Sequence, residues 1–173
     1  MAASTTQTIK LESSDGKTFE LKLAFLKKAN MLQQMLSDLG FADGTYPEQS
    51  IPLPSVAGEV LGKVVQWLCL HEFEEPRTAE HIKLHQFNRY IAKRDKKLFD
   101  TCPRPILAGV INAAYFLEMP DLIDSLVKYT ASNMEGKTAE EMAQWLQILM
   151  KGSSRKKEAE DVAEGTVAPK RRA

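Results

Sequence analysis

A change of hydrophobic period near residue 24 constrains this chain more than any other feature. Residues 8–23, TIKLESSDGKTFELKL, hold two alternating runs on either side of Ser13-Ser14-Asp15-Gly16. Asp-Gly supplies the positive φ angles that a tight hairpin turn requires. Alternation then puts Ile9 and Leu11 on one face of the first strand, and Phe19, Leu21 and Leu23 on one face of the second. From Ala24 onward apolar residues recur three and four apart, the period of a helix that buries one stripe. The chain reads as a hairpin followed by helices.

The helical part divides at its breakers. Residues 24–39 carry Phe25, Leu26, Met31, Leu32, Met35, Leu36 and Leu39, with Asn30 as a break or cap between two short helices and Gly40 as the stop. SIPLP, residues 50–54, predicts a short strand that Pro52 and Pro54 confine to an edge. Ser55 is the expected cap of the next helix, whose stripe is Val56, Val60, Leu61, Val64, Val65 and Leu68. Charge dominates residues 71–103, which read as a long connection with about one helical turn. Pro103 and Pro105 suit the start of a helix with Leu107, Val110, Ile111, Ala114 and Leu117 on its stripe. Pro120 opens another, with Leu122, Ile123, Leu126, Val127, Thr130, Ala131 and Met134 at helical spacing and Gly136 as its stop. Thr138 and Glu141 form a capping box, so a last helix is expected from Thr138 to Gly152, bearing Met142, Trp145, Leu146 and Leu149.

The 173 residues, 43% hydrophobic and 27% charged, suit one compact domain, since domains commonly run to ~100–150 residues. A body of this size buries roughly 68–70% of its unfolded surface, so no disulfide or structural metal is needed to hold it. The zero net charge is unevenly divided: residues 151–173 hold 7 Lys/Arg and 4 Asp/Glu, leaving 16 basic and 19 acidic residues elsewhere. A net acidic body is poorly suited to wrap a phosphate backbone, and nucleic acid is not an expected partner. Two cysteines without a CxxC, and an N-terminus lacking a basic and then an apolar region, predict a reducing compartment and no secretory signal. No run approaches the ~18 apolar residues of a membrane span, so no membrane partner is expected.

Catalytic patterns are missing from the sequence. There is no GxGxxG, GxxxxGK or GxSxG, and the Asp-Gly is explained by the hairpin. Cys69 and His71 with His81 and His85 are the best zinc candidates, because sulfur and imidazole at short spacing can build a tetrahedral site. Their spacing is irregular. The plainer expectation is a buried cysteine continuing the stripe, solvated histidines and no metal. In the tail, Arg155-Lys156-Lys157 and Lys170-Arg171-Arg172 stand twelve residues apart, which suits a two-part nuclear import signal, with a functionless solvated tail as the alternative.

The ordered blocks IKLESSDGKTFEL, MLSDLG, IPLPSV, VVQWL, AAYFLEMPDLID and EGKTAEEM resemble the S-phase kinase-associated protein 1 family, the adaptor of Skp–cullin–F-box ubiquitin ligases. The resemblance covers residues 8–148, with 72–100 poorly matched. It implies an α/β (α+β) fold of BTB/POZ type, a small sheet flanked by helices with a C-terminal helical extension. The division it suggests is a disordered N-terminus (1–7), a BTB/POZ-like domain (8–134), a helical extension acting as a partial F-box clasp (135–151) and a disordered basic tail (152–173).

The resemblance also implies a non-catalytic, cofactor-free adaptor that joins F-box proteins to a cullin, while the basic tail, residues 155–172, predicts cytoplasmic and nuclear residence. The family's F-box surface falls on Ile123, Val127, Thr130, Ala131 and Met134, then on Met142 and Leu146, with Trp145 and Leu149 holding that last helix to the body. The Asn-Tyr pair of its cullin surface, in AANYL, corresponds to Tyr115 and Phe116 in AAYFL. Several positions depart from the pattern. The family's Trp-Asp-x-x-Phe-Leu stands here as Arg94-Asp95-Lys96-Lys97-Leu98-Phe99, the usually acidic connection is basic around Lys93–Lys97, and the proline after Lys-Thr is Ala139. The acidic C-terminal helix is replaced by the basic tail. A second reading is a structural protein that self-associates as a BTB-type homodimer through the apolar face a shortened clasp leaves open.

Overall fold

The computed structural model describes residues 7–41 and 46–147. Three strands form one sheet in the order β2-β1-β3: β1 (Thr8–Ser13), β2 (Thr18–Lys22) and β3 (Ile51–Leu53). β1 and β2 are the expected hairpin, antiparallel with Ile9 opposite Leu21 and Leu11 opposite Phe19. Gly16 takes φ 75° in the turn, and the Ser13 hydroxyl accepts from the Lys17 N–H at 3.0 Å. β3 runs parallel to β1 on its other side, reached through a 3-10 helix (Leu23–Lys28) and α1 (Asn30–Asp38). It is an outer strand, so Pro52, exposed between buried Ile51 and Leu53, withholds no bond that the sheet needs.

The break between the first two helices falls on Ala29, and Gly40, at φ 81°, stands past the end of α1. Helix α2 (Gly58–Leu70) supplies the centre of the core: Val60, Leu61, Val64, Trp67 and Leu68 are all buried. Ser55 does not cap it. Ala57 holds that position without a side-chain bond, and the Asp15 carboxylate, arriving from the hairpin turn, accepts from the Gly58 N–H at 2.6 Å. A Cβ on Gly58 would lie 2.7 Å from that same oxygen, so this close approach requires glycine. Bonds from Ser13 and Lys17, outweighing the slight desolvation, and then the Gly58 N–H pull the Asp15 carboxyl down to about 2.

Residues 71–103 hold more structure than their charge suggests. Two helices form there, α3 (Ala79–Leu84), capped by the Thr78 hydroxyl accepting from His81 N–H at 3.1 Å, and α4 (Lys93–Asp100). α3 buries no residue, and the buried positions of α4 are Asp95 and Phe99. Neither has an apolar stripe for periodicity to detect.

α5 (Arg104–Phe116) packs on α2, with Pro105 in its first turn as expected. Gly109 marks the crossing, because a Cβ there would come 2.5 Å from Val60 Cγ2. α6 (Pro120–Met134) follows after a sharp turn through Leu117 and Glu118, and Gly136, at φ 72°, stands beyond its end. The described residues separate into two units, one ending at Asn133 and the other beginning at Met134. In the second, α7 (Ala139–Leu146) begins on the expected capping box, with Thr138 N–H donating to Glu141 at 2.8 Å and Glu141 N–H to the Thr138 hydroxyl at 3.3 Å. α7 closes earlier than Gly152, on Gln147 at φ 56°. Leu149, Gly152 and the basic tail lie outside the described residues.

Candidate protein-docking site

α6 is divided lengthwise into two faces. Leu122, Leu126 and Tyr129, with Asp121 and Ser125, are buried, positions separated by three and four residues that form one side of a helix. This side is fastened as well as packed. The Tyr129 hydroxyl donates to Asp100 Oδ1 at 2.8 Å and its ring meets Phe99 edge-on at 5.3 Å between centroids. Burial, with that carboxylate accepting the proton, raises the Tyr129 phenol above its ordinary range. Asp121 accepts from the Arg77 N–H, while Asp124 takes both the Arg77 guanidinium at 2.7 Å and the Lys128 ammonium at 2.8 Å.

The adjoining face stays open. Ile123 and Thr130 are half-buried, Ala131 is exposed, and Val127 keeps 55% of its surface in solvent. Across from it α5 presents Ile111 and Tyr115, and the two helices enclose an apolar groove of 380 Å³ lined by these six residues and Leu126. The turn that sets the helices side by side is held by α1. Asn30 N–H donates to the Glu118 carbonyl and Met31 N–H to the Leu117 carbonyl, both at 3.2 Å, where Glu118 adopts φ 52°. Hydrocarbon lines the groove except for the hydroxyls of Tyr115 and Thr130, so what it can do is bury the apolar face of another chain.

Four of the seven residues assigned to F-box contact, Ile123, Val127, Thr130 and Ala131, therefore meet in one groove. Tyr115, assigned to the cullin surface, joins them there. Phe116, 41% exposed at the end of α5, does not line it, nor does half-buried Met134 at the end of α6. On α7, Met142 is half-buried and Leu146 is 42% exposed. Ile111 and Leu126 line the groove without having been singled out. Ile111 stands one turn before Tyr115, a spacing that shares a helix face, but its place in the stripe of α5 read as core.

The zinc candidates are arranged differently from expectation. Cys69 is exposed, although it continues the stripe, and His71 is buried. His71 stacks on Trp67 at 4.3 Å, its Nε2 donates to buried Asp95 at 2.7 Å, and its Nδ1 lies 2.6 Å from Glu74. His81 and His85 are exposed on and after α3, with ring centroids 4.4 Å apart. Among the described residues no three or more His, Cys, Asp or Glu side chains are arranged so that they could hold a metal ion. Nor is any described helix long and apolar enough to cross a membrane.

A three-stranded sheet under helices, with an apolar groove between two of them, defines a protein of BTB/POZ type. The pattern described as Skp1 family, tetramerisation domain, matches residues 7–72. The chain is 30% identical over 149 residues to E3 ubiquitin ligase complex SCF subunit sconC of Arthroderma otae, covering 86% of this chain and 87% of that protein. It is 32% identical over 143 residues to SCF ubiquitin ligase complex protein SKP1a of Dictyostelium discoideum, covering 78% and 79%. The chain belongs to the Skp1 family.

Proposed function

We propose that this protein is a non-catalytic adaptor of an SCF ubiquitin ligase, carrying an F-box substrate receptor and joining it to a cullin. The observation that carries the reading is the groove between α5 and α6, in a chain matched over most of its length to proteins named as SCF subunits. Ile123, Val127, Thr130 and Ala131 are the proposed centre of the F-box contact, extended by Met134, Met142 and Leu146. An F-box helix laid in the groove would bury Val127 and the exposed half of Tyr115, the apolar anchors such contacts use. Tyr115 and Phe116 are the proposed cullin contact. Because Tyr115 lines the groove, its replacement is expected to weaken F-box capture as well.

The test is capture of F-box segments and of a cullin N-terminal region by the full-length protein. Saturable F-box binding that Val127→Lys removes from a folded protein supports the reading, whereas equal capture by that variant refutes it. Light scattering separates the homodimer reading: a monodisperse monomer at high concentration counts against it, and a dimer dispersed by the F-box would place both occupants on one face. We also propose cytoplasmic and nuclear residence, with residues 155–172 as the import signal, tested by deleting the tail.

A further inference from the structure

A second cavity, of 550 Å³, opens among the 3-10 helix, residues 76–86 and the start of α6, and it shares no lining residue with the groove. Its lining includes Lys28, which is only 4% exposed. The Lys28 ammonium stands 5.9 Å from the Trp67 ring, and among the described residues it has no carboxylate within ion-pairing distance. With so little of the side chain in solvent the ammonium has lost much of its water, and one cation–π contact at that distance replaces it only in part. Desolvation lowers the Lys28 pKa, with Asp121 partly offsetting it.

The other charges nearby are committed. Lys27 pairs with Glu75 at 3.6 Å, Arg77 with Asp124, and Asp121 accepts from the Arg77 N–H. The lining itself holds Lys27, Lys28, Arg77 and Lys83 against a single carboxylate, Asp121. The rest of the lining includes Pro76, Ala79, Ile82 and Pro120, an apolar wall beside the lysine. The volume falls in the range of roughly 300–1,000 Å³ typical of small-molecule sites.

We propose that this cavity binds a small ligand made of one oxyanion, a carboxylate or a phosphoryl group, on an apolar body. The oxyanion would take the hydrogen bonds that Lys28 lacks, with Lys83 closing over it from the rim, while the body packs on Ile82 and the two prolines. Charge-assisted bonds of this kind are the strong ones, and they are strongest where water is excluded.

Full-length protein titrated with benzoate, phenyl phosphate, inorganic phosphate and neutral benzyl alcohol tests this, by calorimetry and by NMR of 13C-labelled lysine methylenes. Expected are saturable binding of benzoate or phenyl phosphate, the tighter of the two naming the oxyanion, a shift of the Lys28 methylene signal, and benzyl alcohol weaker by about tenfold or more. Lys28→Met should lose at least that factor while melting no lower than wild type, since it removes a buried charge, and Lys28→Arg should restore part of the affinity. Failure of both aromatic anions to saturate at millimolar concentration would overturn the assignment. So would equal binding of benzyl alcohol, or undiminished binding by a folded Lys28→Met protein. Binding of inorganic phosphate alone would overturn the apolar half of it.

Discussion

Replacing His71 with alanine should destabilise this protein more than its loop position suggests. The ring sits at the end of α2, stacked on Trp67, and its Nε2 holds the carboxylate of Asp95, which is 1% exposed. Burial alone would raise the Asp95 carboxyl. The His71 bond and charge, with Ser125 and Arg94, outweigh it and hold the group below the usual carboxylate value of 3.8. Removing one partner of a buried pair leaves the other charge uncompensated, at a cost of about 3–5 kcal/mol. For a chain of this length each kcal/mol shifts the melting temperature by roughly 2–4 °C, so a fall on the order of 10 °C is expected.

The pH dependence follows in sign. A depressed folded pKa contributes stability that is present above the unfolded value and lost as pH falls through the folded one. In His71→Ala the desolvation of Asp95 remains while its main partner is gone, so the penalty is full at neutral pH, shrinks as pH falls through the raised carboxyl of the variant and is smallest below the depressed carboxyl of the wild type. Urea denaturation followed by tryptophan fluorescence at pH 7 and near pH 4 measures both quantities. His71→Leu with Asp95→Leu, which removes both polar groups, should recover much of the single-mutant loss. A single-mutant cost below about 1 kcal/mol, or a double mutant equal to the sum of the singles, would refute the reasoning.

Three further outcomes are expected. Val127, 55% exposed, has about half of its ~1.5 kcal/mol of burial still to gain, so Val127→Ala should weaken F-box capture by no more than about fourfold. Val127→Lys should weaken it by about a hundredfold or more, with an unchanged melt, because it carries a charge into the contact. Gly109→Ala puts a methyl 2.5 Å from Val60 Cγ2 and should cost about 1–2 kcal/mol after the gain in helix propensity, relieved by adding Val60→Ala. Denaturation of the pair and its singles reads the coupling. Asp15→Asn should lower the melting temperature at pH 7, and the difference should vanish as pH falls through about 2, where the wild-type Asp15 carboxyl protonates.

The sequence by itself determined the features whose causes lie within a few residues. The Asp15-Gly16 hairpin, the stripes of α2, α5 and α6, the edge position of β3 and the Thr138–Glu141 box were all legible, because turn geometry, helical spacing and capping are local. Its ordered blocks also carried the resemblance to the Skp1 family, and with it the proposal of an F-box face on α6.

Only the tertiary structure decided the rest. α3 and α4 escaped notice because their stability comes from a cap and from Asp95 meeting His71, 24 residues away, rather than from an apolar stripe. Asp15 replaced Ser55 at the start of α2 because the folded sheet brings a carboxylate 43 residues distant to the Gly58 N–H. The stripe of α6 offered no means of separating packing from docking. Leu122 and Tyr129 turn to the core while Val127 stays in solvent because α5 and α4 cover one side of that helix and leave the other open. Periodicity records which residues are apolar, but what covers them depends on neighbours that the chain brings together only on folding.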